Sequence, residues 1–561
     1  MSRPTPSTWL KAFLAAVPFG LTAAGLLGCR PLNRPITENA ISPYQRSVAE
    51  PQPRVDLENG DPSHPLGILQ HPNATEAAGG EPNATREFHL TLDQAVTKAL
   101  SGSPEVRLVS LDASIAEQMI IKGEADFDPS VFGRANAEGK DVPTTTYSEI
   151  GQSDVQTLES GIKQKTKTGA EWSFSYVLTH SWDDLLGRNP ASRYEPVLAF
   201  QLKQPLLRDY SSRVTLAGVE TADLNHRISL LAFRQKADEL AATTIGYYWQ
   251  LVQAREDVQI QQQLLGMAMD TLEKVEGRRS IDATDVQIQQ AQVNVRTRKA
   301  QFLQAELQVK DAQDNLARFL ADPDMDLVSN YRILPDTQPN QLPARLDIAS
   351  LLPMALRGNP ILQQARLGVK VAEINIVVAK NQRMPRLDLV ASASTQSLNH
   401  SVVAAHEALW DRDYGSYAVG VTLEYPLGNR LAGAEMQRRR LEHKKAVTTL
   451  QNLADQVALQ ARQRTHKVQT SFDQIQIQQE AVEAATSQLQ AIADSEPVRD
   501  KLTPEFLLVK LQAQESLAEA MRARAAAVAD YNIALAELAQ TTGSILTLHP
   551  VELPGGDSAG Q

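Results

Sequence analysis

The chain repeats itself. Ala99-Leu100-Ser101-Gly102-Ser103-Pro104 corresponds to Ala355-Leu356-Arg357-Gly358-Asn359-Pro360 at an offset of 256 residues. Without a gap, the same offset pairs Leu111 with Leu367, Ala116 with Ala372, Glu117 with Glu373, Ile120 with Ile376 and Pro129 with Pro385. A tandem duplication constrains the fold more than composition does, because two like units must share one architecture. In each copy the spacing predicts a helix of about 20 residues that opens after Gly-x-Pro. It ends near the second proline, since the residue before a proline is disfavoured in a helix.

Beyond that proline both halves alternate with period two. Trp172, Phe174, Tyr176 and Leu178 are interleaved with Ser173, Ser175, Val177 and Thr179, and Leu198, Phe200 and Leu202 with Ala199, Gln201 and Lys203. Tyr417, Val419, Val421, Leu423 and Tyr425 alternate in the second half, with a weaker segment at Leu387, Leu389, Ala391 and Ala393. This predicts strands with one apolar face, and Trp172, Trp182 and Trp410 fall where an interfacial aromatic girdle would place them. A soluble sandwich would need more strands in a chain of this length. The strand regions, 127–205 and 385–426, end at Gln204-Pro205-Leu206-Leu207 and Tyr425-Pro426-Leu427. Pro129 to Pro205 spans 76 residues against 41 for Pro385 to Pro426, which leaves room for one more hairpin around Thr166-Lys167-Thr168-Gly169. Four and six strands per chain both fit.

Each strand region is followed by a long proline-free run and a return helix, predicting hairpins over 213–320 and 430–541. On the first return helix Ile288, Val295, Phe302, Val309 and Leu316 form one stripe and Ala291, Ala305, Ala312 and Phe319 a second. Val286, Val293, Ala300 and Leu307 form a third. A two-stranded coiled coil uses only two such positions, so the third stripe implies neighbours on both sides, as in a ring of helices. The turns are polar, with Thr284 before Asp285 and Thr503 before Glu505 in the manner of N-caps.

The N-terminus reads as an export signal over 1–28. Arg3 and Lys11 precede an apolar stretch ending in Leu26-Leu27-Gly28-Cys29, which resembles a bacterial lipobox with Cys29 as the lipid anchor. Residues 29–89 are proline-rich and predict a tether, and 546–561 a flexible tail. The repeats themselves occupy 90–344 and 345–545.

A formal charge of −11 argues against nucleic acid as a partner. One cysteine is too few for a thiolate metal site, and no cofactor-binding motif occurs. His-Glu-x-x-His, Gly-x-Ser-x-Gly and a phosphate-cradling loop are all missing, and His466 stands alone on a helix, so nothing predicts an enzyme or a catalytic residue.

Taken in order, Leu90-Thr91-Leu92-Asp93-Gln94-Ala95 through Pro104, Gln204-Pro205-Leu206-Leu207-Arg208, Tyr248-Trp249-Gln250-Leu251, Tyr425-Pro426-Leu427-Gly428 and Ala529-Asp530-Tyr531-Asn532 with Thr542-Gly543 resemble the TolC-type outer-membrane efflux family. The resemblance covers roughly 90–545. It implies a mainly α fold with a small antiparallel β-barrel portion, in which long helical hairpins form an α-barrel and transmembrane strands are completed in a homotrimer. It further implies a passive duct in the cell outer membrane that docks a periplasmic adaptor and an inner-membrane pump in efflux or type I secretion. By the same resemblance the hairpin tips carry docking and the aperture, which makes Gly277, Arg279, Asp282, Thr284, Asp285, Asp500, Leu502, Thr503 and Glu505 the candidate residues. A non-conducting periplasmic scaffold lipoprotein is the alternative; it accounts for Cys29 and the helices but not for the strands.

Overall fold

In chain order, β1 (Arg86–Leu90) leads into α1 (Leu92–Gly102) and α2 (Pro104–Glu124), then four strands, β2 (Ser130–Asp141), β3 (Gln152–Lys165), β4 (Glu171–Asp183) and β5 (Ser192–Pro205). A single turn, α3 (Ser212–Thr215), precedes the long α4 (Ala217–Gly277), its return helix α5 (Asp285–Leu320) and β6 (Tyr331–Pro335). The second repeat runs α6 (Ile348–Gly358), α7 (Pro360–Gln382), β7 (Arg386–Gln396), α8 (Val402–Trp410), β8 (Tyr414–Glu424), α9 (Arg430–Ser495), α10 (Pro504–Thr542) and α11 (Ile545–Leu548). The computed structural model describes residues 86–143, 150, 152–183, 192–281, 283–322, 325, 331–411, 413–495 and 503–548. These all fall in one unit spanning 82–553. The signal, Cys29 and the tether as far as 85 lie outside the described residues, as do 549–561; β1 begins at Arg86, where the tether was expected to run to 89, and α11 holds 545–548, where the tail was expected to begin at 546.

The duplicated Gly-x-Pro element is a corner between two helices. Ser103 and Asn359 are N-caps whose side chains accept from the backbone N–H of Glu105 and Ile361, and Pro104 and Pro360 take the first helical position, where no N–H is needed. The glycine before each cap touches the end of the return helix of the same repeat. A Cβ on Gly102 would stand 2.8 Å from the Leu320 carbonyl oxygen, and one on Gly358 would collide with that of Thr542. The return helices stop there in left-handed caps, Ala321 at φ 46° and Gly543 at φ 69°.

The core lies around these corners. β1 and β6 pair in parallel and, with α1, α4, α5 and α10, bury Leu100, Ile245, Tyr248, Leu251, Leu316 and Ile333. The Tyr248 hydroxyl donates to the Leu90 carbonyl at 3.1 Å and accepts from the Thr337 N–H at 3.0 Å. In the second repeat the Tyr531 hydroxyl donates to the Leu342 carbonyl at 2.7 Å and accepts from the Ala344 N–H at 3.1 Å. Beside it Asn532 bonds both the N–H and the carbonyl of Asn340. Two tyrosines thus satisfy the backbone of the segment joining the repeats, and burial pushes both phenols up, which keeps each hydroxyl a donor.

At 1.5 Å per residue, α4 with its 61 residues is about 90 Å long and α9 with its 66 about 100 Å. α4 packs on α5, α2, α10 and α7, while α9 packs on α10 and α7. The result is one helical layer with α2 and α5 along one border and α9 along the other. Arg298 of α5 pairs with Glu515 of α10, and Arg522 of α10 with Asp257 of α4 at 2.6 Å, so the two hairpins are tied together by charge as well as packing.

Gly358→Ala and Gly102→Ala are expected to cost roughly 1–3 kcal/mol each through overpacking, read as a lower thermal unfolding midpoint in detergent. Gly218→Ala in α4, where a Cβ meets nothing within 4 Å, should leave the midpoint unchanged or raise it.

Candidate functional site

The six strands form one antiparallel sheet in the order β2-β3-β4-β5-β7-β8, so this chain contributes six strands where four or six had been open. The extra hairpin is β3–β4, and Gly169 at φ 92° closes its turn. The repeats are sewn together where Val197–Pro205 of β5 pairs with Gln396–Asp388 of β7. Cross-strand register aligns Val131, Ile162, Phe174, Phe200, Ala393 and Tyr417 in one row from edge to edge. Trp172, Leu202, Ala391 and Val419 form another row on the same face. On the opposite face the matching rows read Lys163, Ser173, Gln201, Ser392 and Ala418, then Gly161, Ser175, Ala199, Ser394 and Ser416. An apolar outside and a polar inside at strand lengths of 11 to 14 residues is what a hydrocarbon layer of about 30 Å requires.

The outer strands β2 and β8 each lack a partner on one side among the described residues, and almost every residue in them is exposed. With six strands the directions alternate, so β8 runs antiparallel to β2. The helical borders are just as incomplete. The third stripe of α5 stands open, with Val293 60 % and Leu307 56 % exposed, while the first two stripes bury Ile288, Ala291, Ala305 and Leu316. On the same border α2 exposes Leu108, Leu111, Ile115 and Met119, and on the far border α9 exposes Leu431, Leu441, Leu459 and Ile477.

Each strand-to-helix junction is held by an asparagine. Asn381, buried at the end of α7, accepts from the Asp209 N–H at 2.8 Å and donates to the Leu207 carbonyl at 3.2 Å, where Asp209 and Ser211 have positive φ. Asn429 donates to the Arg383 carbonyl at 3.1 Å at the second junction.

At the tips, Thr284 caps α5 in a capping box with Gln287, and Thr503 accepts from the Phe506 N–H ahead of Pro504 and Glu505. Arg279 reaches Asp285 at 3.2 Å, but both are largely exposed, so the pair contributes little stability. Gly277 ends α4 with open space around it, and no positive φ requires a glycine there. Asp282, Asp500 and Leu502 lie outside the described residues. Sequence reasoning missed the apolar lock behind the turns, where Val275, Ile288 and Leu507 pack together. It was visible only as scattered heptad positions on three helices. It also placed Trp410 among the strands, whereas this residue ends helix α8. Among the described residues no three His, Cys, Asp or Glu side chains gather as a metal site.

One buried acid stands apart. Asp238 of α4 is 2 % exposed, neither carboxylate oxygen has a hydrogen-bond partner, and it lines a polar cavity of about 620 Å³ with Asn359, Gln460, Arg464, Gln540 and Thr541. Burial pushes its pKa up to about 6, against a smaller opposing pull from Arg234. Across the cavity Arg464 and Lys467 are engaged by Glu537. The layer is otherwise pinned by ordinary pairs such as Lys236 with Glu105 at 2.7 Å, whose hydrogen bond holds the Glu105 carboxyl below its usual range.

Residues 351–495 match the family model described as Outer membrane efflux protein. The match lies in the second repeat, and the duplication extends the same architecture to the first. No curated protein matches the chain. Among solved structures it is similar to a membrane protein from Pseudomonas aeruginosa, at 17 % identity and TM-score 0.60 over 81 % of this chain and 93 % of the other. It is similar to the outer membrane protein VceC of Vibrio cholerae at 16 % identity and TM-score 0.58, covering 81 % and 96 %. The open MtrE channel of Neisseria gonorrhoeae shares 16 % identity at TM-score 0.53, covering 81 % and 89 %. These likenesses support a mainly helical fold with one antiparallel sheet, the class that the resemblance implied.

Two outcomes are expected. Val293→Glu with Leu307→Glu should abolish assembly in native mass spectrometry while leaving the helical circular dichroism unchanged. Asp238 binds its proton more tightly folded than unfolded, so its contribution to stability is full below about pH 4 and is lost as pH rises through about 6. Asp238→Asn should therefore stabilise the protein at pH 7.5, by up to about 3 kcal/mol, and by no more than about 1 kcal/mol at pH 4.5. The difference in unfolding midpoint between variant and parent at the two pH values reads this directly.

Proposed function

We propose that the protein is a passive outer-membrane duct that works as a homotrimer, its helical barrel reaching into the periplasm to meet a periplasmic adaptor and an inner-membrane pump. One observation carries this reading: a sheet apolar on one face and polar on the other, with both edges open, runs directly into helices about 90–100 Å long. Three copies close eighteen strands into a water-lined barrel. The free α2/α5 border then meets the α9 border of the next copy, which covers the exposed stripe of α5.

The strand ends lead straight into α4 and α9, so the polar face of the sheet continues into the space enclosed by the helices. At the far end of the hairpins Gly277, Arg279, Asp282, Thr284 and Asp285 on one tip, and Asp500, Leu502, Thr503 and Glu505 on the other, form the docking and aperture surface. Asp285 and Glu505 open their helices at capped N-termini, where the helix dipole favours a carboxylate. Repeated around a ring, such carboxylates repel one another when the end is closed. A partner that binds the open arrangement better then needs only modest differential contact energy to shift the balance. The Leu26-Leu27-Gly28-Cys29 motif supports a lipid anchor at Cys29, which would hold the chain to the same membrane as its barrel.

Single-channel recording of the purified protein in planar bilayers tests the duct. Small or flickering conductance is expected, rising by several-fold in variants among Asp282→Ala, Asp285→Ala, Asp500→Ala and Glu505→Ala. Folded protein that conducts in no variant would instead establish the scaffold lipoprotein.

A further inference from the structure

The connection between β7 and β8 lies at the end of the sheet remote from the long helices, and it contains α8, whose sequence is apolar at seven of nine positions. The helix folds back onto the sheet. Its inner side buries Ala405 and Leu409 against β5, and the Ala405 carbonyl accepts from the Ser397 hydroxyl at 2.5 Å. His406 is fixed from both ends: its Nδ1–H donates to the Val402 carbonyl at 2.8 Å, which leaves Nε2 to accept from the Tyr176 hydroxyl. Tyr176 stands on the same face as Trp172, Phe174 and Leu178. The helix is therefore seated on the apolar face of the sheet, on the side away from the polar lumen.

We propose that α8 is an interfacial anchor whose outer side, Val403 with Trp410, is immersed at the boundary between headgroups and acyl chains of the outer leaflet. The proposal rests on the duct reading, which puts the apolar face of the sheet toward lipid. Val403 is 67 % and Trp410 72 % exposed, although an exposed valine and tryptophan on so short an apolar helix cost free energy in water. A neighbouring copy in the ring does not reach them. α8 sits over β5, which has three strands on one side and two on the other in the sheet, whereas copies meet only at β2 and β8. Lipid is what remains next to that face. Glu407, the one acidic residue of the helix, shares the outer side and sets the depth at the headgroup boundary rather than in the hydrocarbon centre, where a carboxylate is costly. Tryptophan at that depth is the usual interfacial residue. The polar contacts beneath the helix, Ser397 with Ala405 and Tyr176 with His406, satisfy one another and leave the inner side compatible with a low dielectric.

The test places nitroxide labels on the full-length protein in vesicles of phosphatidylethanolamine and phosphatidylglycerol. Val403→Cys and Trp410→Cys are compared with Tyr417→Cys on the apolar face of the sheet and with Arg279→Cys at the periplasmic tip. The unsubstituted chain, whose one cysteine is Cys29, sets the background. Oxygen concentrates in hydrocarbon and a nickel chelate stays in water. Labels at 403 and 410 are expected to relax several-fold more with oxygen than with nickel, as at 417, while 279 shows the reverse. Nickel access at 403 and 410 with 417 still in lipid would overturn the anchor and leave the duct standing. Shielding from both probes would also overturn it, since protein would then cover the helix. If 417 itself is open to nickel, the duct reading fails and the anchor falls with it.

Discussion

A sheet edge in hydrocarbon has no water to satisfy its N–H and C=O groups, and each unsatisfied group costs several kcal/mol. In the proposed duct the six-stranded sheet presents two such edges, β2 and β8, each without a partner on one side among the described residues. An even strand number makes head-to-tail closure antiparallel. The helices that leave the sheet share the same open-sided arrangement, and their borders expose apolar rows on α2, α5 and α9. The valine and leucine residues of the α5 stripe would be liabilities on a monomer, and they have a purpose only if another copy covers them.

The duplicated corner is the second determinant. Gly102 and Gly358 let the α1–α2 and α6–α7 bends press on the ends of their return helices, and the two tyrosines Tyr248 and Tyr531 bind the connecting segment across the core. This brings the repeats together as neighbours in one layer rather than as two domains on a string. Long helices need such a fixed waist, because a hairpin whose 36-residue return helix is about 54 Å long amplifies any looseness at its base. Asp238 sits at that waist without a partner, so the waist is also where the structure tolerates an electrostatic penalty.

Function follows from shape more than from any reactive group. The sheet has one polar and one apolar face, and the tips carry capped, acidic helix starts at Asp285 and Glu505. α8 adds an apolar helix that the strand pattern alone does not call for, tied to the sheet through Tyr176 with His406 and Ser397 with the Ala405 carbonyl.

Much of this was legible in the sequence because it depends on local periodicity. The 256-residue offset, the alternation of Trp172 to Leu178 and of Tyr417 to Tyr425, and the caps at Thr284 and Thr503 are all short-range signals with a direct geometric meaning. So is the third stripe of α5, which the structure leaves exposed at Val286, Val293 and Leu307. What the sequence did not determine depends on contacts between distant segments. The parallel pairing of β1 with β6, the seam of β5 with β7, the glycine contacts at the two corners and the seat of α8 on Tyr176 each join residues far apart in the chain. Periodicity says which face of an element is apolar; only the packed structure decides what that face touches, because that choice belongs to two elements at once.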